Sequence, residues 1–365
     1  MNGHVFRALR IAAVAVCAGL MACSALPSSF AAGIVPGPPL RMSVMSADWA
    51  AYKSAFVRAD GRIVDTANDN ISHSEGQGYG MLLAAAADDK ATFERIWSFT
   101  RTELLIRDDG LAAWIWRPEA SPHVTDVNNA TDGDLLIAYA LYLASERWND
   151  PVYRDAARKI TTAFVDTMIV DVDGGAYLLP GAVGFQTAED PDTIVINPSY
   201  WVFPALRMLQ RLGSAERLDK TMTTGIEMLG KARFGERQLP ADWLQVSPSG
   251  IVPDPARPPT FGYDALRIPL YLMLAGYNQP ALLQPYYDDW IGRDDGTPMI
   301  VDLGTGATRE TPNDPGYRIL SALVACAVTG TPIPRDLKSF SPTTYYPSTL
   351  HLLGLSLARG GYPQC

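Results

Sequence analysis

The 365-residue chain is 47% hydrophobic and 19% charged, a globular composition with enough residues for one large core or two small ones. Its formal net charge is −9 and it has no Lys/Arg-rich run, so it lacks the basic patch on which nucleic-acid binding depends. Its 8 Trp and 16 Tyr can fill cores, and their flat faces can also stack on sugar rings.

At the N-terminus, Arg7 and Arg10 precede the uncharged run "IAAVAVCAGLMACSAL", and small residues follow in "SSFAAG". This pattern predicts a secretory signal peptide over residues 1–32, cleaved near Ala31 or Ala32, and a periplasmic or secreted mature protein. The stretch "LMAC" also reads as a lipoprotein signal, with Cys23 as a second candidate end and lipid anchor. Residues 33–45, rich in Pro and Gly, read as a linker, and residues 46–365 as a single domain.

From Ser46 onward, apolar residues recur at helical spacing in one segment after another. "SADWAAYKSAFV", "GYGMLLAAAADD", "KATFERIWSFTRTELL" and "DGDLLIAYALYLASERW" come first. "DPVYRDAARKITTAFVDTMI" follows, with Asp150 as N-cap, Pro151 in the first turn and an apolar face of Val152, Ala156, Ile160 and Phe164. Further helices are expected at about 198–212, 214–230, 262–276, 279–291, 313–329 and 342–360. Long Gly-, Pro- and Asp-rich loops separate alternate pairs, with room for short strands, and no βαβ alternation is present. About eleven helices in hairpin pairs predict an all-α double ring with its loops gathered at one end. Cys326 and Cys365 read equally as a disulfide or as a buried thiol and a terminal one. No Cys/His cluster suggests a metal site.

Three acidic segments stand at helix starts: "SHSEGQGYGM" around Glu75, "NNATDGDLLIAYAL" around Asp132, and "FGYDALRIPLY" around Asp264 and Arg267. Each has an ordinary structural explanation. Ser72 to Glu75 fits the S-x-x-E capping box, Asp132 suits a helix N-terminus, and Asp264 and Arg267 are spaced as an ion pair. Two features exceed these explanations. Gly76 and Gly78 cost about 1 kcal/mol each in a helix, and Pro269 costs about 3 kcal/mol in a helix interior. Glycines let a ligand approach the backbone closely, and local violations of this kind gather at functional sites. Several carboxylates among aromatics suit glycoside hydrolysis, in which one acid protonates the leaving oxygen and a second carboxylate activates water or attacks carbon.

In that light "SEGQGYGM", "NNATDGDLLIAYAL" and "FGYDALRIP" together resemble family 8 glycoside hydrolases. "GLAAWIW", "LLPGAVGF", "INPSYW" and "PADWLQV" extend the resemblance, in the family's order, to the periplasmic endoglucanases of bacterial cellulose-synthesis systems. The resemblance implies an (α/α)6 barrel with an open cleft and inverting endo-hydrolysis of β-1,4-glucan, without metal or organic cofactor. It implies Glu75 as general acid, Asp264 as general base, Asp132 as the residue holding the distorted sugar, and Arg267 as the residue orienting the base. An inverting site places the two catalytic carboxyls roughly 6.5–9.5 Å apart. Trp114, Trp116, Tyr200 and Trp201 are candidate sugar-stacking rings, Gln77, Tyr79 and Asn197 candidate hydroxyl ligands, and Tyr263 a neighbour of the base; each also reads as a packing residue. The expected partner is a β-1,4-glucan chain, with a cellulose synthase or export complex as a second partner and a monomer as the working state. Xylan, chitosan and mixed-linkage glucan remain alternative substrates within the family. A catalytically silent glycan-binding subunit is the alternative outside it.

Overall fold

The computed structural model describes residues 30–293 and 296–365. The signal segment up to residue 29, with Cys23, lies outside them. Eleven α-helices occur among the described residues: α1 (Ser46–Phe56), α2 (Ser74–Ala86), α3 (Lys90–Phe99), α4 (Thr131–Trp148), α5 (Pro151–Met168), α6 (Phe203–Leu209), α7 (Ala215–Lys231), α8 (Ile268–Leu274), α9 (Pro280–Trp290), α10 (Pro315–Thr329) and α11 (Tyr345–Gly361). Helices α2, α4, α6, α8 and α11 touch in turn, and α11 returns to α2, closing an inner ring. Helix α3 packs outside α2, α5 outside α4, α7 outside α6, and α1 against α11, while α10 lies against α8, α9 and α11.

Burial follows from this arrangement. All seven residues of α8 and all but one of α2 are buried, because inner helices meet protein on every side. Outer helices are amphipathic. Helix α5 buries Tyr153, Ala157, Ile160, Phe164 and Met168, a face rotated by about one residue from the expected one, and it leaves Val152 exposed. Asp150 caps α5 as expected, accepting from the amide of Val152 at 3.0 Å.

In "SEGQGYGM", Gly78 serves the ring, while Gly76 lies against Tyr345 and His73. A Cβ on Gly78 would lie 2.5 Å from Leu136 Cβ on α4, and one on Gly133 would lie 2.7 Å from the amide nitrogen of Glu75. Without these side chains α2 and α4 approach closely at their N-terminal ends. The S-x-x-E capping box does not form either. His73 is the N-cap of α2, its Nδ1 accepting from the amide of Gly76 at 3.0 Å, which leaves the carboxylate of Glu75 free of capping. Pro269 breaks nothing. Asp264 precedes a 3₁₀ turn (Ala265–Arg267), α8 starts at Ile268, and Pro269 sits in its first turn, where no intrahelical donor is needed.

Four small antiparallel sheets occupy the long loops. β1 (Ser72–His73) pairs with β2 (Ile115–Trp116), and β3 (Ile169–Val172) with β4 (Gly175–Leu178). β6 (Leu244–Ser247) lies between β5 (Ile194–Ile196) and β7 (Gly250–Pro253), and β9 (Ile300–Asp302) between β8 (Thr260–Phe261) and β10 (Thr308–Glu310). The 105–131 loop is anchored by the fully buried Asp134. It accepts from the amide of Ala112 at 2.8 Å and from Asn129 Nδ2 at 2.9 Å.

The stretch 33–45 is no free linker. Met42 and Val44 are buried, Gly37 exchanges a backbone hydrogen bond of 2.9 Å with Gly276, and Ser43 donates to Ser356 Oγ at 2.9 Å. A disulfide joins Cys326 of α10 to the C-terminal Cys365, so the paired reading of these cysteines holds.

Closing a 39-residue separation constrains the unfolded chain by about 3–4 kcal/mol. Cys326→Ser is therefore expected to lower the thermal midpoint by several degrees, and reductant is expected to do the same to the wild type but nothing further to the variant. Burial raises the carboxyl of Asp134 to about 7, and burial together with the charge of Glu75 raises that of Asp132 to about 7. A carboxyl whose folded value exceeds the unfolded ~3.9 binds more protons when folded, so its contribution is lost as pH rises through that interval. Denaturant unfolding is expected to show stability falling between pH 4 and 7 by on the order of a few kcal/mol; a rise across that window would contradict the assignment.

Candidate active site

Glu75 is the second residue of α2 and Asp132 the second residue of α4. The close approach at Gly78 and Gly133 therefore sets two carboxylates side by side at one end of the ring. Between them comes Arg267, delivered by the 3₁₀ turn that opens α8. Its two terminal nitrogens reach Glu75 Oε1 at 2.5 Å and Asp132 Oδ2 at 2.8 Å. Asp264, three residues earlier on the same turn, holds Oδ1 3.8 Å from the guanidinium. One cation thus touches three carboxylates.

The direct hydrogen bond to Asp264 comes from elsewhere. Asn197, fully buried just after β5, donates from Nδ2 to Asp264 Oδ2 at 2.8 Å. Its orientation is determined, because its Oδ1 accepts from the amide of Ser199 at 3.0 Å and a backbone N–H can only donate. Arg267 was expected to orient Asp264; its shorter contacts are with Glu75 and Asp132, and Asn197 holds Asp264.

Only 3% of the side chains of Arg267 and Asp132 is exposed. Burial disfavours both charges, but Glu75, foremost among the groups facing Arg267, helps outweigh that penalty and hold it protonated. For Asp132 burial and the charge of Glu75 outweigh the attraction of Arg267, which is why its carboxyl rises to about 7. Removing one member of such a buried set strands the others at a cost of about 3–5 kcal/mol.

These groups line an open cleft of about 450 Å³, and Trp114, Tyr200 and Tyr263 share its walls. Trp114 is tied at Nε1 to Asp126 Oδ2 at 2.8 Å, and its carbonyl accepts from the amide of Ser74 at 3.0 Å, which places the ring beside Glu75. Tyr200 follows Asn197 by three residues and lies under the guanidinium of Arg267, at 5.9 Å from its centroid. Tyr263 is 39% exposed, with its hydroxyl on Glu310 Oε2 at 2.8 Å.

Four other expected site residues do not reach the cleft. Gln77 is fully buried, holding the amide of Ile63 at 2.7 Å and Thr100 Oγ1 at 3.0 Å; it ties the 61–63 loop to α2 and α3. Tyr79 is in the ring's core, its hydroxyl bonded to that of Tyr271. Trp201 is fully buried and donates to the carbonyl of Thr221 at 3.0 Å. Trp116 is packed against Arg62 and His123, with their centres 4.8 and 4.2 Å from its ring, and is only 9% exposed. In the last two cases the neighbouring aromatic of the same motif, Tyr200 or Trp114, faces the cleft.

The cleft also contains residues that the sequence reading passed over: Asp65, His73, Tyr345 and Tyr346. His73 stands inside the quoted motif, with Nδ1 3.6 Å from Glu75 Oε2 and Nε2 3.7 Å from Asp65 Oδ2. Ser74 Oγ and Tyr345 OH are buried without a protein partner. Among the described residues no cluster of three or more His, Cys, Asp or Glu side chains is arranged to hold a metal.

The same order of motifs occurs in known proteins. Residues 14–360 match the glycosyl hydrolases family 8. A probable endoglucanase of Novacetimonas hansenii is 38% identical over 310 residues, 84% of this chain and 88% of the relative. Among solved structures, an endoglucanase of Klebsiella pneumoniae superposes with a TM-score of 0.78 at 33% identity, covering 86% of this chain and 99% of the other. An endoglucanase of Komagataeibacter sucrofermentans superposes at 0.76 with 39% identity, covering 84% and 95%. The double ring of helices is accordingly an (α/α) barrel, and the chain belongs to glycosyl hydrolase family 8.

Proposed function

We infer that the chain is an inverting endo-β-1,4-glucanase acting on cellulose. The observation that carries this reading is the convergence of Glu75, Asp132 and Asp264 on one buried guanidinium in the wall of an open cleft. An open cleft accepts the middle of a chain, which suits endo-attack. The relatives reported above are named endoglucanases.

Glu75 acts as general acid, giving its proton to the glycosidic oxygen as the bond from that oxygen to the anomeric carbon breaks. Asp264 acts as general base. Its Oδ2 is held by Asn197, and the carboxylate takes a proton from the water that attacks the opposite face of the sugar. The new hemiacetal therefore has the inverted configuration. Asp132, locked against Arg267, grips the sugar at the cleavage point in a distorted ring. Trp114, Tyr200 and Tyr263 supply stacking faces, each in a cleft wall. The unpartnered hydroxyls of Ser74 and Tyr345 suit hydrogen bonds to sugar hydroxyls.

The signal-like N-terminus supports export to the periplasm or beyond, and the Cys326–Cys365 disulfide suits an oxidising compartment. The resemblance to endoglucanases of cellulose-synthesis systems supports work beside a cellulose synthase or export complex, trimming the emerging polymer.

The wild type is expected to collapse the viscosity of carboxymethyl-cellulose well before reducing ends accumulate, and to leave xylan and chitosan largely intact. Proton NMR of early product is expected to show the α-anomer first; β-anomer first would exclude inversion. Glu75→Gln and Asp264→Asn are each expected to lower kcat by about 10³-fold or more with unchanged circular dichroism, in keeping with loss of an acid or base. Normal turnover in either variant would remove that residue from the mechanism.

A further inference from the structure

Asp242 lies at the entry to β6, in the motif "PADWLQV", and no step of the mechanism above uses it. Its Oδ1 accepts two hydrogen bonds, from the amides of Gly262 and Ala265, each at 2.9 Å. These amides bracket Tyr263 and Asp264. The backbone of Asp242 is tied to the same strand, its amide donating to the carbonyl of Thr260 at 2.8 Å. Gly262 is part of the fit, because a Cβ there would run into Asp242 Oδ2. The 262–267 turn is also closed by its own bonds, from the amide of Leu266 to the carbonyl of Gly262 at 3.1 Å and from that of Arg267 to the carbonyl of Asp264 at 3.3 Å, and Tyr346 donates from its hydroxyl to the carbonyl of Tyr263 at 2.9 Å.

We propose that Asp242 is the positioning residue of the base: by clamping the amides on both sides of Asp264 it fixes that carboxylate, and with it Arg267, against the attacking water. The inference rests on the assignment of Asp264 as base. The clamp is needed because Asp264 stands on a short turn and not inside a long helix. A shift of 1 Å in a positioned group costs about 10²-fold in rate. Asn197 fixes one carboxylate oxygen of Asp264, and Asp242 fixes the backbone from which the carboxylate projects.

Asp242 is itself a titratable group at the edge of the site. The charged groups facing it are Asp264 and Arg267, and burial together with Asp264 raises its carboxyl to about 7. Asp264 in turn faces Arg267 from its own turn, Asp132 from α4, and the hydroxyls of Tyr200 and Tyr346. Asparagine at 242 keeps an oxygen for both amides, so it preserves the clamp that alanine removes.

The test compares Asp242→Asn, Asp242→Ala and Gly262→Ala on carboxymethyl-cellulose, with circular dichroism as the check on folding. Asp242→Ala is expected to lose 10- to 100-fold in kcat with KM within threefold, because the clamp acts on the base and not on bound sugar. Asp242→Asn is expected to restore kcat to within threefold of wild type, since its amide oxygen still accepts from both backbone donors. Gly262→Ala, which leaves Asp242 in place but pushes it away, is expected to lose kcat as Asp242→Ala does. Should Asp242→Ala not fold, the asparagine and Gly262 variants decide alone. Wild-type kcat in a folded Asp242→Ala or Gly262→Ala, or a kcat in Asp242→Asn as low as in Asp242→Ala, would overturn the proposal. If Asp264→Asn were itself fully active, the assignment of the base would fail; loss of activity there with normal Asp242→Ala would sink the clamp alone.

Discussion

The site depends on one buried cation shared among three carboxylates. Without Arg267, Glu75 and Asp132 would be two acids forced together where two helices meet, with burial and mutual repulsion both acting against ionisation. With it, Glu75 and Asp132 each accept a direct hydrogen bond from one guanidinium, and Asp264 stays within reach of the same group. A planar guanidinium has the fork that such sharing requires; an ammonium does not. Because Arg267 and Asp264 belong to a single turn, the register between acid and base is set over four residues, although Glu75 and Asp264 are far apart in the chain.

The fold brings the parts together by two different devices. On one side, absent side chains at Gly78 and Gly133 let α2 and α4 touch where Glu75 and Asp132 begin them. On the other, irregular chain is held by capping: His73 on the amide of Gly76, Asn197 on Ser199 and Asp264, and Asp242 on Gly262 and Ala265. The helices supply rigidity, and the loop ends supply chemistry whose backbone donors are satisfied by side chains. Asp134 does the same for the loop carrying Trp114.

The helices were legible because the outer ones follow a 3.6-residue pattern and the inner ones carry apolar runs, and eleven segments emerged in order. The segments of Glu75 and Asp264 were legible because each breaks a local rule, and the segment of Asp132 through the resemblance that the three carry together. The reasons for the breaks were not. Gly78, behind Glu75, read as room for a ligand, while its contacts lie on α4, more than 50 residues away. Pro269 read as a fault because the 3₁₀ turn before it leaves no periodic trace. Among paired aromatics the sequence could not choose which ring faces the cleft. Trp114 and Trp116 differ by two positions on an extended segment, yet one is in the cleft wall and the other is packed against Arg62 and His123. Gln77 and Tyr79 sit in the signature motif for the sake of the ring, since their partners on the 61–63 loop and α8 are contacts that only the closed fold creates.

The most direct measurement of the central claim is the steady-state kinetics of Arg267→Lys on carboxymethyl-cellulose, with thermal unfolding recorded on the same sample. Lysine keeps the positive charge but cannot fork between Glu75 and Asp132. The account predicts a folded protein whose kcat falls by about 10²-fold or more, because shared geometry and not charge alone is required. A folded Arg267→Lys with near wild-type kcat would contradict it.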